Sequence, residues 1–120
     1  MKKSKFIKTL SIIFSLLTLS TFSHFANAED VQQGLGVKLQ IKNHRFIPSE
    51  IKAPANTPFT LIIENLDSTI EEFESVDLKR EKIVGGNKTI YLKFEGLSSG
   101  EYNFFGDFNK RTAFGKLIVK

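Results

Sequence analysis

Short runs of alternating apolar and polar residues, broken every few positions by turn formers, confine this chain to a β architecture. Val37, Leu39 and Ile41 alternate with Lys38, Gln40 and Lys42, the period-two pattern of a strand with one buried face. Residues 49–53, 58–64, 88–94, 102–105 and 115–119 also read as β, rich in Ile, Leu, Val, Phe and Tyr. Ala55-Asn56, Gly85-Gly86-Asn87 and Ser98-Ser99-Gly100 stand between them as turn signals. No segment carries a convincing helical period. Residues 67–82 are the ambiguous stretch: Glu71, Glu72, Leu78 and Lys79 allow a short helix, whereas Phe73, Ser75 and Val76 favour an extended path. Six or seven short strands in about 85 residues predict a small all-β sandwich.

The first 28 residues read as an export signal. Lys2, Lys3, Lys5 and Lys8 form a basic start, residues 10–22 an apolar and hydroxyl-rich middle, and Ala26-Asn27-Ala28 a cleavage site of small residues. The apolar run falls short of the roughly 20 residues needed to span a bilayer. Removing this leader is expected to leave 92 residues: a polar, Gly-containing lead-in over 29–36 and one domain over 37–120. The expected location is the periplasm. Discounting the leader's four lysines from the 17 Lys+Arg leaves 13 against 13 Asp+Glu. The pI of 9.4 therefore belongs to the signal, and it gives no reason to expect a nucleic-acid or membrane-surface partner. No Cys is present, so a packed sheet core or a bound ligand, rather than disulfides, must stabilise an exported domain of this size. Twelve Phe residues make such a core plausible.

Residues 46–67, FIPSEIKAPANTPFTLIIENLD, resemble the opening of a cupredoxin: a Phe-x-Pro entry, a Pro-Ala-Asn turn, an alternating strand and an Asn-x-Asp. Residues 99–119, SGEYNFFGDFNKRTAFGKLIV, resemble the strand, ligand loop and final strand of that fold. The intervening EEFESVDLKREKIVGG, residues 71–86, is similar to EfeO-type or FtrB-like periplasmic cupredoxins that accompany high-affinity iron permeases. The resemblance implies a cupredoxin-like Greek-key β-sandwich and a partner among periplasmic iron-uptake proteins or iron permeases.

The same resemblance exposes what is missing. A blue-copper centre uses two His, a Cys thiolate and usually a weak axial Met. By position, the Cys slot falls on Gly106, the His slots near Glu71 and Arg111, and the Met slot near Phe114. With these ligands absent, a plastocyanin-like electron carrier is not expected. The parallel strands that the resemblance implies would instead bring His44, Glu71 and Asp107 to one end of the sandwich. Glu72 and Glu74 stand nearby in an acidic run, 67–77, that contains no basic residue. His44, Glu71, Glu72, Glu74 and Asp107 are thus the candidate metal ligands, suited to copper or iron as a hard or borderline transition metal ion. Asn109 stands where the family pattern leads one to expect a His.

Each candidate also has a plainer reading. The acidic run followed by Lys79, Arg80 and Lys82 reads as a solvated, charge-balanced face; His44 as a surface residue; Asp107 as a turn cap. Phe104 and Phe114 read as core, and Phe105 and Phe108 as candidates for an exposed docking rim. No nucleophile elbow or phosphate-binding loop is present, so the chain is not expected to be an enzyme. Two functions remain: a periplasmic metal-binding carrier or accessory factor in iron uptake, or a metal-free module that docks on a metal-binding protein or permease.

Overall fold

The computed structural model describes residues 34–120; the leader and most of the lead-in lie outside them. The described residues form nine strands in two sheets. In chain order they are β1 (Leu35–Lys42), β2 (Arg45–Ile47), β3 (Glu50–Ala53), β4 (Phe59–Asn65), β5 (Glu71–Ser75), β6 (Arg80–Val84), β7 (Thr89–Phe94), β8 (Gly100–Gly106) and β9 (Phe114–Val119). One sheet has the order β2-β1-β4-β7, the other β3-β9-β8-β5-β6. Most neighbours are antiparallel, but β1 pairs with β4, and β3 with β9, in parallel. The only helical element among the described residues is a single 3-10 turn, Asp107–Asn109. None of them forms a helix long and apolar enough to cross a membrane.

The alternation seen in the sequence determines which side chains go inside. Val37, Leu39 and Ile41 on β1 and Phe59, Leu61 and Ile63 on β4 are buried, as are Leu117 and Val119 on β9. In β1 the pairing begins at Leu35 and Gly36, opposite Phe59 and Thr60, two residues ahead of the alternating run. Three aromatic rings join the layers: Phe46 stands edge-on to Phe104 at 5.1 Å and to Phe73 at 6.1 Å, and Phe73 lies 5.4 Å from Phe104. Such pairs contribute about 0.5–1.5 kcal/mol each beyond the area they bury.

The ambiguous stretch is a hairpin, not a helix. β5 buries Glu71, Phe73 and Ser75 and turns Glu72 and Glu74 outward. Ser75 makes an inward polar position tolerable: its hydroxyl donates to the Asn103 carbonyl at 2.5 Å and accepts from Leu78 N at 3.1 Å. Those bonds fix the reversal into β6. Two of the three inward positions on β5 are polar, so the strand lacks the apolar alternation that marks β1 and β4.

Candidate functional site

Three connections meet at one end of the sandwich. The first is the two-residue turn between β1 and β2, where Asn43 and His44 both have positive φ, 51° and 56°. A hairpin closed by two such residues matches the right-handed twist of its strands. Asp67, just past β4, caps this turn: its carboxylate accepts from Asn43 N at 2.8 Å and His44 N at 2.9 Å. These N–H donors, His44 above all, hold the Asp67 pKa below the ordinary 3.8 against the opposing effect of burial. His44 Nδ1 stands 3.8 Å from Asp67 Oδ2, and the imidazole is half exposed.

Asn65, at the end of β4, anchors the second connection. It is 1% exposed, and its amide donates to the carbonyls of Thr69 at 2.8 Å and of Val84 and Gly85 at 3.2 Å, while its Oδ1 accepts from Asp67 N at 3.0 Å. One side chain thus ties the loop before β5 to the end of β6. Nothing in the sequence marked Asn65 beyond its place in Asn-x-Asp, because the partners it joins lie up to 20 residues away.

The third connection is the loop from Gly106 to Ala113, which Glu71 holds. Glu71 is only 2% exposed. Its Oε1 accepts from Phe108 N at 3.0 Å and from Glu72 N at 2.9 Å, and its Oε2 accepts from Asn109 Nδ2 at 2.6 Å. A Cβ placed on Gly106 would lie 2.6 Å from Glu71 Cδ and 2.8 Å from Ala113 Cβ, so the carboxyl group fills the volume a side chain at 106 would need. Thr112 Oγ1 donates to the His44 carbonyl at 2.5 Å and joins this loop to the first turn. The N-cap of the 3-10 turn is Gly106, not Asp107; the Asp107 side chain pairs with Lys110 at 2.9 Å.

His44, Glu71 and Asp107 therefore belong to the same end of the molecule, as the strand directions implied, although β8 lies in the opposite sheet from β1 and β4. The five candidate ligands do not form one set. Strand alternation sends Glu71 into the interior and Glu72 and Glu74 to the outer face. Among the described residues no group of three or more His, Cys, Asp or Glu is arranged to hold a metal ion. Asn109, where a His was looked for, supplies the amide that Glu71 accepts.

The outer face is crowded with like charge. Glu74 stands directly opposite Glu81 across β5 and β6. Desolvation raises the Glu72 pKa, assisted by the charges of Glu81 and Asp107. Desolvation likewise raises that of Glu74, with Asp107 and Glu81 adding to the rise and Lys110 opposing it. Phe105, half-buried on the same side, lies 5.6 Å from the Lys110 ammonium. Phe104 is core, as expected. Phe114 is not: it is 57% exposed, because it lies on the outward register of β9, paired with Phe105. Phe108 is 46% exposed at the tip of the loop, beside a cleft lined by Asn43, His44, Asn109, Arg111 and Thr112.

Comparison with known proteins places this geometry. Residues 10–119 match the family model described as Cupredoxin-like domain. An uncharacterized protein of Rickettsia prowazekii (strain Madrid E) is 41% identical over 98% of this chain and 94% of its own length. Auracyanin A, a blue copper protein from Chloroflexus aurantiacus, superposes with a TM-score of 0.61 at 13% identity, over 72% of this chain and 98% of that one. The metal-binding domain of the Streptococcus pneumoniae D39 Cu(I)-exporting P-type ATPase CopA, solved with Cu(I), gives 0.61 at 14% identity, over 73% and 88%. The all-β, cupredoxin-like sandwich is thus the fold of this chain. A type 1 copper centre does not fit its residues: the sequence has no Cys, and the Glu71 carboxyl, which stands at a ligand position by resemblance, has both oxygens bonded to the protein itself.

Proposed function

We propose that this chain, which belongs to the cupredoxin-like domain family, is a non-enzymatic exported module that docks on a periplasmic metal-binding protein or iron permease through the pole described above. One observation carries the reading: the interior of that pole is completed by Glu71, Phe108 N and Asn109 rather than by a set of metal ligands. What remains outward is a contact surface. Phe108 is exposed there, and the exposed Arg111 lines the same cleft, a pairing of aromatic and guanidinium groups enriched where proteins bind one another. The resemblance of residues 71–86 to iron-permease-associated cupredoxins supports iron uptake as the setting, and residues 1–28 support export as the route.

The crowding on the outer face favours a second reading. Glu72, Glu74, Glu81 and Asp107 crowd one another there, with Lys110 as a counter-charge to Glu74 and Asp107, and oxygen donors of this kind suit a hard cation. In that case the protein would be a carrier or accessory factor for a transition metal ion. Thermal melts of the chelator-treated protein with Cu(II), Fe(II), Mn(II) and Zn(II) separate the two. The docking module shows no shift with any metal at stoichiometric concentration, whereas a carrier is selectively stabilised by copper or iron and loses that stabilisation when Glu72 and Glu74 become Gln. For the docking reading, a partner held by the wild-type protein is released by Phe108→Ala at unchanged melting temperature. Retention of that partner by the variant would remove the pole from the interface.

A further inference from the structure

We infer that Glu71 stands where a metal would otherwise organise this pole: an internal carboxyl group, not a bound ion, positions the loop that presents Phe108. The inference rests on the copper-free docking reading and names the residue that makes the surface ready to bind. Four observations carry it. Glu71 is buried at 2% exposure, where a carboxyl group is costly unless it is fully hydrogen-bonded. Its bonds run to the loop: Phe108 N at 3.0 Å and Asn109 Nδ2 at 2.6 Å, residues 37 and 38 positions away in sequence. Gly106 leaves the space the carboxyl fills, since a Cβ there would come within 2.6 Å of Glu71 Cδ and 2.9 Å of Oε1. No buried side-chain polar atom among the described residues lacks a partner, so the network is closed.

The rest of the loop is built on that anchor. Thr112 N and Ala113 N donate to the Asn109 carbonyl at 3.1 and 2.8 Å, and Gly106 N donates to the Ala113 carbonyl at 2.9 Å. Asn109 is thus held from both ends, its side chain by Glu71 and its carbonyl by the returning chain. Phe108, between Asp107 and Asn109, is held by its own N–H, which donates to Glu71, while the residue stands 46% exposed. A contact residue held in this way loses less conformational entropy when a partner binds. Glu71 is accordingly a positioning residue that acts through the Phe108 backbone.

The test is residue-resolved amide hydrogen exchange on the protein, on Glu71→Ala and on Glu71→Gln, with Cu(I), Cu(II), Zn(II) and Fe(II) titrated into the wild type. In Glu71→Ala, protection of the Phe108 amide is expected to fall about tenfold or more, as loss of one buried acceptor implies, with related losses confined to residues 106–113. Leu61 and Ile63, at the centre of the other sheet, keep their protection. Glu71→Gln retains one acceptor oxygen and should restore part of the protection; it also carries the test if the Ala variant fails to fold. Unchanged Phe108 exchange in both variants overturns the inference, as does a loss spread evenly over both sheets, which would make Glu71 a general fold determinant. Stoichiometric binding of one of these metals at the loop of the wild-type protein overturns the copper-free reading beneath it, whatever the variants show.

Discussion

At the scale of single residues, the pole depends on close fits and capped turns. Gly106→Ala must displace both the Glu71 carboxyl and Ala113 and should destabilise the protein by about 1–3 kcal/mol, as overpacking does, measured by urea denaturation. Asp67→Asn keeps one acceptor oxygen for the two N–H groups of the 43–44 turn and should cost about 1 kcal/mol at neutral pH. The sign of its pH dependence follows from its lowered pKa. The Asp67 contribution is fully present above the ordinary 3.8 and is lost as the pH falls through the lower folded-state value. Wild-type and Asp67→Asn unfolding midpoints should therefore converge on strong acidification, and a constant gap would dismiss the cap. Glu71 was legible in the sequence as a residue of interest, but its role was not. An acidic side chain in a run of acids gives no sign that alternation will bury it alone, nor that Phe108 and Asn109 will meet it.

At the scale of elements, the β5–β6 hairpin is the weak edge of its sheet. β6 pairs on one side only, exposes four of its five residues and sets Glu81 against Glu74, and like charges directly opposite each other oppose pairing. Arg80 shields part of the sandwich beside it, stacking over Phe94 at 5.0 Å and donating to the Lys93 carbonyl at 3.1 Å. The folded-state pKa values of Glu72 and Glu74 lie above the ordinary 4.5. Stability from this face should therefore rise as the pH falls through those raised values, and the gain is complete below 4.5. Glu81→Lys should raise the melting temperature at neutral pH and flatten that acid-side gain; an unchanged pH profile in the variant would show that the repulsion is screened by solvent. β1, β3, β4, β7, β8 and β9 were readable from residues 37–42, 49–53, 58–64, 88–94, 102–105 and 115–119. β2, β5 and β6 were not. β2 is three residues long with Phe46 alone inward, β5 turns two polar residues inward, and β6 has Val84 as its sole buried position.

At the scale of the molecule, the two sheets are held by a core that runs up to the pole without interruption. Phe46→Ala removes the ring that touches both Phe73 and Phe104 and should cost about 3–5 kcal/mol, measured by denaturant unfolding; a loss under about 1 kcal/mol would mean that the core closes around the gap. Phe73, the neighbour of Glu71 on β5, belongs to the same cluster, so the interior of the pole continues into the hydrophobic core. The sequence by itself determined the all-β class and most of the inward-facing residues, because a period of two is a local property that each strand carries in its own residues. It also determined that no thiolate copper site could form, since that needs only the absence of Cys. Only the tertiary structure decided what occupies the pole instead. The Glu71 bonds span 37 and 38 residues and the Thr112 to His44 bond spans 68, and which side chains meet at such separations is set by sheet order and register rather than by any local pattern.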